Sequence, residues 1–202
     1  PNKSFPARNK GNTNANLYKL IWYGRGVIGM HEKKTNLTNG HADVLAVIDG
    51  LRNTNADAQW AFIEREFNVD EFINYYAVNM CIQNWDGFHN NYFLYHDTEG
   101  TKRWEIYPWD EDKTWGEYDG GPRNYNWYEL PLTYAMTGSQ RPMAFGGPTA
   151  GESYVGWWRP PGLLSGPLLA NSQFRQRFLS RLREVSVTIF TKENVFPLID
   201  AM

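Results

Sequence analysis

The sequence holds a single cysteine, Cys81, in 202 residues, so no internal disulfide and no four-cysteine zinc site can form. It has no apolar run of about 18 residues, the length a membrane-spanning helix needs. An excess of one charge is missing too. Twenty Lys and Arg stand against 22 Asp and Glu, for a net charge of −2. That balance argues against a general grip on nucleic acid or on an anionic membrane surface. There is no Walker A run. Gly24, Gly26 and Gly29 spell G-x-G-x-x-G, but no strand-then-helix pattern surrounds them, and the stretch reads as a turn. The first sixteen residues are polar and turn-rich, without a signal-peptide pattern, and read as the middle of something longer. What is plentiful is aromatic side chain, 16% of the chain with nine Trp. That content suits a large core, a sugar-like binding face, or both.

Apolar spacing predicts the elements. Residues 17–35 read as one or two short strands, from the run Leu17 to Tyr23. Helices are predicted over 42–51, with Val44, Leu45, Ile48 and Leu51 on one face, and over 57–67, with Trp60, Ile63 and Phe67. The clearest helix runs from Asp70 to about Gln83. Its stripe of Phe72, Ile73, Tyr76, Ala77 and Met80 makes it central, and Asp70 and Glu71 suit its positive end. A hairpin follows, Tyr92–Tyr95 and Arg103–Tyr107 around Asp97–Gly100. Residues 116–162 hold nine Gly and six Pro, the composition of an irregular loop excursion. Phe174, Phe178, Leu182, Val185 and Ile189 mark a long helix, and Thr191 can cap a last short one.

Two segments carry chemistry: Asn84 to Asn91, and Tyr107 to Gly116. The hairpin between them should bring both loops to one end. Residues 86–119 hold nine acids and three bases, although the whole chain is nearly neutral. Clustered carboxylates repel and desolvate badly. A divalent cation relieves both costs, and oxygen ligands favour Mg²⁺, Mn²⁺ or Ca²⁺. Asp86 and Asn91 form D-x-x-x-x-N, the spacing of a protein-kinase catalytic loop. There the Asp accepts the substrate hydroxyl's proton and the Asn holds a metal. A helix precedes it, and a hairpin leads on to Asp110 and Asp112, as in a kinase.

Asn84-Trp85-Asp86 through Asn91-Tyr92, Tyr95, and Pro108-Trp109-Asp110-Glu111-Asp112 to Trp115-Gly116 resemble the CotH family, with its W-D-x-D signature. These are spore-coat-protein-H-like atypical kinases. The resemblance implies an α+β, mainly α fold: a kinase-like large lobe with a small β-hairpin beside the catalytic loop. It implies ATP- and Mg²⁺- or Mn²⁺-dependent phosphorylation of Ser or Thr on coat or secreted proteins, hence a coat or extracytoplasmic setting. Carried over, Asp86 is the catalytic base, Asn91 and Asp110 are metal ligands, and Asp112 is a further ligand. The β-rich small lobe with its phosphate-binding Lys is not legible. Residues 1–202 therefore read as one domain, the large lobe. Lys19 matches the family's Leu-Tyr-Lys after the hinge rather than that lysine.

Other readings compete. Asp86 and Asn91 also suit a capped turn, and Asp110 with Asp112 a solvated acidic bend. In a strand-like stretch Asp110 and Asp112 would point to one side. His89 reads as a loop-orienting residue. Trp85, Trp104, Trp109 and Trp115 read as core packing or as stacking surfaces, and Trp127, Trp157 and Trp158 as a substrate platform. Cys81 reads as a small buried hydrophobe. Two other functions fit the acids: a non-catalytic, metal-binding coat or assembly module, and a glycoside hydrolase using Asp86 and Asp110.

Overall fold

The computed structural model describes residues 12–21, 23–84, 86–115 and 162–201. The glycine- and proline-rich excursion up to residue 161, with Trp127, Trp157 and Trp158, lies outside the described residues, as does Trp85. The fold is α+β, with more helix than strand. Strands β1 (Asn16–Leu20), β2 (His31–Lys33), β3 (Tyr92–His96) and β4 (Trp104–Pro108) form one antiparallel sheet in the order β2-β1-β3-β4. Helix α1 is Gly26–Met30, α2 Ala42–Gly50, α3 Ala56–Glu66 and α4 Val69–Cys81. Helices α5 (Ser165–Ala170), α6 (Ser172–Thr188) and α7 (Lys192–Asp200) follow.

The predicted hairpin is therefore half of a larger sheet. β1 lies against β3, with Asn16 opposite His96 and Lys19 opposite Phe93. Alternation along β1 decides which side chains serve which face. Tyr18 and Leu20 join Tyr92, Leu94, Trp104 and Ile106 in the main core. Leu17, Phe93 and Tyr95 form a second, smaller cluster with Ala15. Lys19 shares that second face by its place in the strand.

Helix α4 is central, as its stripe predicts. Phe72, Tyr76, Ala77 and Met80 are fully buried, with Phe174 and Phe178 of α6 in the same cluster. Burying each such large side chain contributes about 1.5–3 kcal/mol. In α2 the buried face is Val44, Val47, Ile48 and Leu51, whereas Leu45 is exposed. The predicted turn at Gly24–Gly29 instead ends in the short helix α1. A Cβ on Gly24 would stand 1.9 Å from the Gly29 carbonyl oxygen, so glycine permits the close return. The chain then runs into β2 antiparallel to β1. A dinucleotide-binding unit needs a parallel crossover instead.

Asp43, in the first turn of α2, fastens that helix to the sheet. It accepts hydrogen bonds from the Tyr18 hydroxyl, from Asn16 at 2.7 Å, and from His96 Nδ1 at 2.9 Å. Burial alone would raise its pKa. The donors His96, Tyr18, Asn16 and the Val44 amide outweigh burial and hold the carboxyl well below its ordinary range. His96 in turn stacks on Trp104, with ring centroids 4.4 Å apart.

Candidate active site

Helix α4 ends where the sequence predicts, through a left-handed residue. Gln83 takes φ +54°. The Gln83 amide donates to Met80 O and the Asn84 amide to Asn79 O, the paired bonds that close a helix C-terminus. This delivers Asn84, fully buried, to the start of the next loop. Its side chain binds in three directions. Its Oδ1 accepts from the amides of Asp86 and Gly87, and its Nδ2 donates to Asn79 Oδ1 at 2.7 Å and to Glu111 Oε2. The Tyr75 hydroxyl donates to Gly87 O at 2.8 Å, and Phe88 stacks on Tyr76. The loop is thus fastened to α4 by buried polar bonds and an aromatic plug.

The second loop leaves β4 at Pro108 and turns at once. Asp110 adopts φ +58° and Asn91 φ +54°, left-handed values that Asp and Asn tolerate better than most residues. Asp110 and Asp112 therefore do not sit on a strand-like stretch. Glu111 turns inward to Asn84, while Asp110 and Asp112 stay exposed. The two loops are joined directly. The Trp109 amide donates to Asn91 O at 3.2 Å, and Asn91 Nδ2 donates to Asp110 O at 3.3 Å.

Asp86, Asn91, Asp110 and Asp112 line one polar cavity of about 290 Å³, together with Asn90, Lys19 and Lys113. Asp86 is only 8% exposed. Its Oδ2 accepts from Asn91 Nδ2 at 2.8 Å, and its Oδ1 is buried without a hydrogen-bond partner among the described residues. Burial, then the negative charges of Asp112, Glu111 and Asp110, push its pKa up to about 7. Glu111 is also raised, chiefly by burial, against the opposing hydrogen bond from Asn84. His89 is pushed down to about 4 by burial, so it is neutral at neutral pH.

The donor set suits a divalent cation of the oxygen-preferring kind. Three carboxylates and an amide share a cavity, and one buried carboxylate oxygen has no hydrogen-bond partner among the described residues. With its Nδ2 donating to Asp86, Asn91 keeps its amide oxygen for such an ion. Among the described residues, no group of three or more His, Cys, Asp or Glu stands close enough together to hold a metal by itself.

Three further residues belong to the site without a signal of their own in the sequence. Glu111 is one of many acids, and Asn84 one member of a motif. Lys19 enters the cavity through the pairing of β1 with β3, which no local pattern announces. Of the tryptophans, Trp104 is core, as predicted, whereas Trp109 is 41% exposed beside the cavity and Trp115 is exposed. Cys81 is half-buried against the core.

A family model described as CotH kinase protein matches residues 1–202. The inner spore coat protein H of Bacillus subtilis (strain 168) is 29% identical over 173 residues, 85% of this chain. The matched stretch spans 40% of that relative's length. The match to the family extends along the whole sequence, acidic loops included, and the chain belongs to the CotH kinase protein family.

Proposed function

We propose that this chain carries the phosphoryl-transfer site of a CotH-type protein kinase, in a kinase-like large lobe. The donor is ATP, the metal Mg²⁺ or Mn²⁺, and the acceptor a Ser or Thr hydroxyl of a spore-coat or secreted protein. The relative's name, spore coat protein H, supports a coat setting.

One observation carries the reading. Asp86 is a buried carboxylate with a vacant oxygen, steered by Asn91 and facing the same cavity as two further acids. In the reaction Asp86 takes the proton of the acceptor hydroxyl while that oxygen forms its bond to the γ-phosphorus and the bond to the ADP oxygen breaks. A carboxylate balanced near pH 7 is well matched to gaining and returning a proton at neutral pH. Asn91 keeps Asp86 in one orientation, and the hydrogen bonds between the two loops fix where Asp110 stands. Positioning and electrostatics supply most of the catalysis in this chemistry. Asn91 and Asp110, with Asp112, would hold the divalent cation, which when bound neutralises charge on the phosphate oxygens.

The test is incorporation of ³²P from ATP into a serine-rich protein in Mn²⁺ or Mg²⁺. Equal incorporation by Asp86→Ala overturns the reading. Metal-dependent stabilisation with no transfer would point instead to a binding module.

A further inference from the structure

Lys19 is the residue the motif reading leaves without a task. It sits on β1, next to β3, and its ammonium lies 5.1 Å from the centroid of the Trp109 ring. Trp109 is itself steadied by Phe93, whose ring meets it edge to face at 5.3 Å. Lys19 and Phe93 are register partners across the sheet, so one rung of the ladder places both the cation and the support of its shelf. The cavity that Lys19 lines holds Asp86, Asp110 and Asp112, yet among the described residues Lys19 forms no ion pair with any of them. Lys113, the other cation of the cavity, stands 4.0 Å from Asp112. An ammonium held on an aromatic face, half-buried and not neutralised by nearby acids, is ready for an anion that enters the cavity.

We propose that Lys19, carried on the face of Trp109, is an anion-holding residue of this cavity and binds a phosphoryl oxygen of the ligand that occupies it. The inference rests on the phosphoryl-transfer reading for the ligand's identity, and it gives the tryptophan of the Trp-Asp-x-Asp motif a task. Trp109 is neither core filler nor a platform for a base. It is a shelf that keeps one positive charge on a pocket that three acids also line. The acids repel a phosphate and accept a cation; Lys19 supplies the complementary charge in the same cavity.

The experiment uses the full chain with Mn²⁺ and two probes, a non-hydrolysable ATP analogue and inorganic tripolyphosphate, with affinities read by calorimetry. Lys19→Met keeps the aliphatic stem on Trp109 and removes the charge. Losing one charge-assisted hydrogen bond predicts roughly ten- to hundredfold weaker binding of both probes. Lys19→Arg, which keeps the charge and can stack on the ring, should recover most of it. Trp109→Leu should weaken binding by a smaller factor, with the melting temperature showing that the sheet is intact. In turnover, Lys19→Met should raise KM for ATP more than it lowers kcat, a split that general loosening of the fold would not produce. Unchanged affinity in Lys19→Met, beside a wild type that binds both probes, overturns this inference and leaves the phosphoryl-transfer reading standing. A wild type that binds tripolyphosphate through Lys19 but not the nucleotide analogue supports the anion site and removes ATP from the reading. A wild type that binds neither probe overturns both.

Discussion

Asn91 Nδ2 donates to Asp86 Oδ2 at 2.8 Å and reaches Asp110 O at 3.3 Å, so one amide joins the ends of two loops nineteen residues apart in sequence. That contact makes the D-x-x-x-x-N spacing meaningful. The positive φ of Asn91 aims its side chain back at the loop it closes. Asn91→Ala is expected to cut phosphoryl transfer by about 10²-fold or more, because it frees Asp86 and removes a donor set member together. Asn91→Asp should fall nearly as far, since it adds a fourth carboxylate beside Asp86. Steady-state kinetics with purified variants checks both.

Asp86 is poorly suited to stability as well as well suited to chemistry. It is a buried acid with an unpartnered oxygen and three acidic neighbours. Asp86→Asn keeps an acceptor for Asn91 and removes the charge. Its melting temperature in EDTA is expected to equal or exceed that of wild type, while transfer is lost. A clear drop in melting temperature would show that Asp86 serves the fold instead.

Gly87 occupies a place no side chain can share. A Cβ there would stand 2.7 Å from both Asn79 Oδ1 and Asn84 Nδ2, inside the buried amide network. Gly87→Ala is expected to destabilise by about 1–3 kcal/mol, the usual cost of overpacking. It should also depress activity out of proportion to the stability loss, because Asn84 carries both Glu111 and the amide of Asp86. Urea unfolding set against kinetics separates the two effects.

The parts of this architecture legible in sequence are those set by local pattern. Phe72, Tyr76 and Met80 announce α4, Phe174, Phe178 and Leu182 announce α6, and the acids flanking a strand–turn–strand pattern announce that two loops meet. The pairing of Asn16 with His96 joins segments eighty residues apart and is set by tertiary packing, which no short window encodes. Lys19 therefore could not be placed in the site from sequence. Leu45 reads as core because it falls about 100° from Val44, at the edge of the stripe, whereas Val47 falls about 60° from Val44 on the other side, within the buried face. A strand-like reading of Asp110 and Asp112 misses the left-handed turn at Asp110, because no glycine marks it.

The Asp43 cluster gives the fold an acid limit. The carboxyl's pKa in the folded chain lies below its ordinary 3.8, so the folded state favours the ionised form. Its stabilisation is present above about pH 4 and is lost as pH falls toward the folded value. Asp43→Asn is expected to lower stability at pH 7 and to flatten the loss of stability below pH 4, as read from thermal melts between pH 2 and pH 7. A variant melting curve that parallels wild type at every pH contradicts the assignment.

Helix α6 depends on Asn171. Its Oδ1 accepts from the amides of Gln173 and Phe174, and its Nδ2 donates to Ala56 O and to Gln59 Oε1, tying the helix to α3. Asn171→Ala is expected to cost about 1–2 kcal/mol for the lost cap alone. Asn171→Ser, which still caps, should recover part of that in urea unfolding.

The most direct measurement is ³²P transfer from ATP to a serine-rich protein by the protein expressed from its complete reading frame, wild type beside Asp110→Ala, across a Mn²⁺ titration. The account predicts metal-dependent transfer by wild type and little or none by Asp110→Ala at any metal concentration. Transfer at wild-type rates by Asp110→Ala, or equal transfer in EDTA, would contradict it.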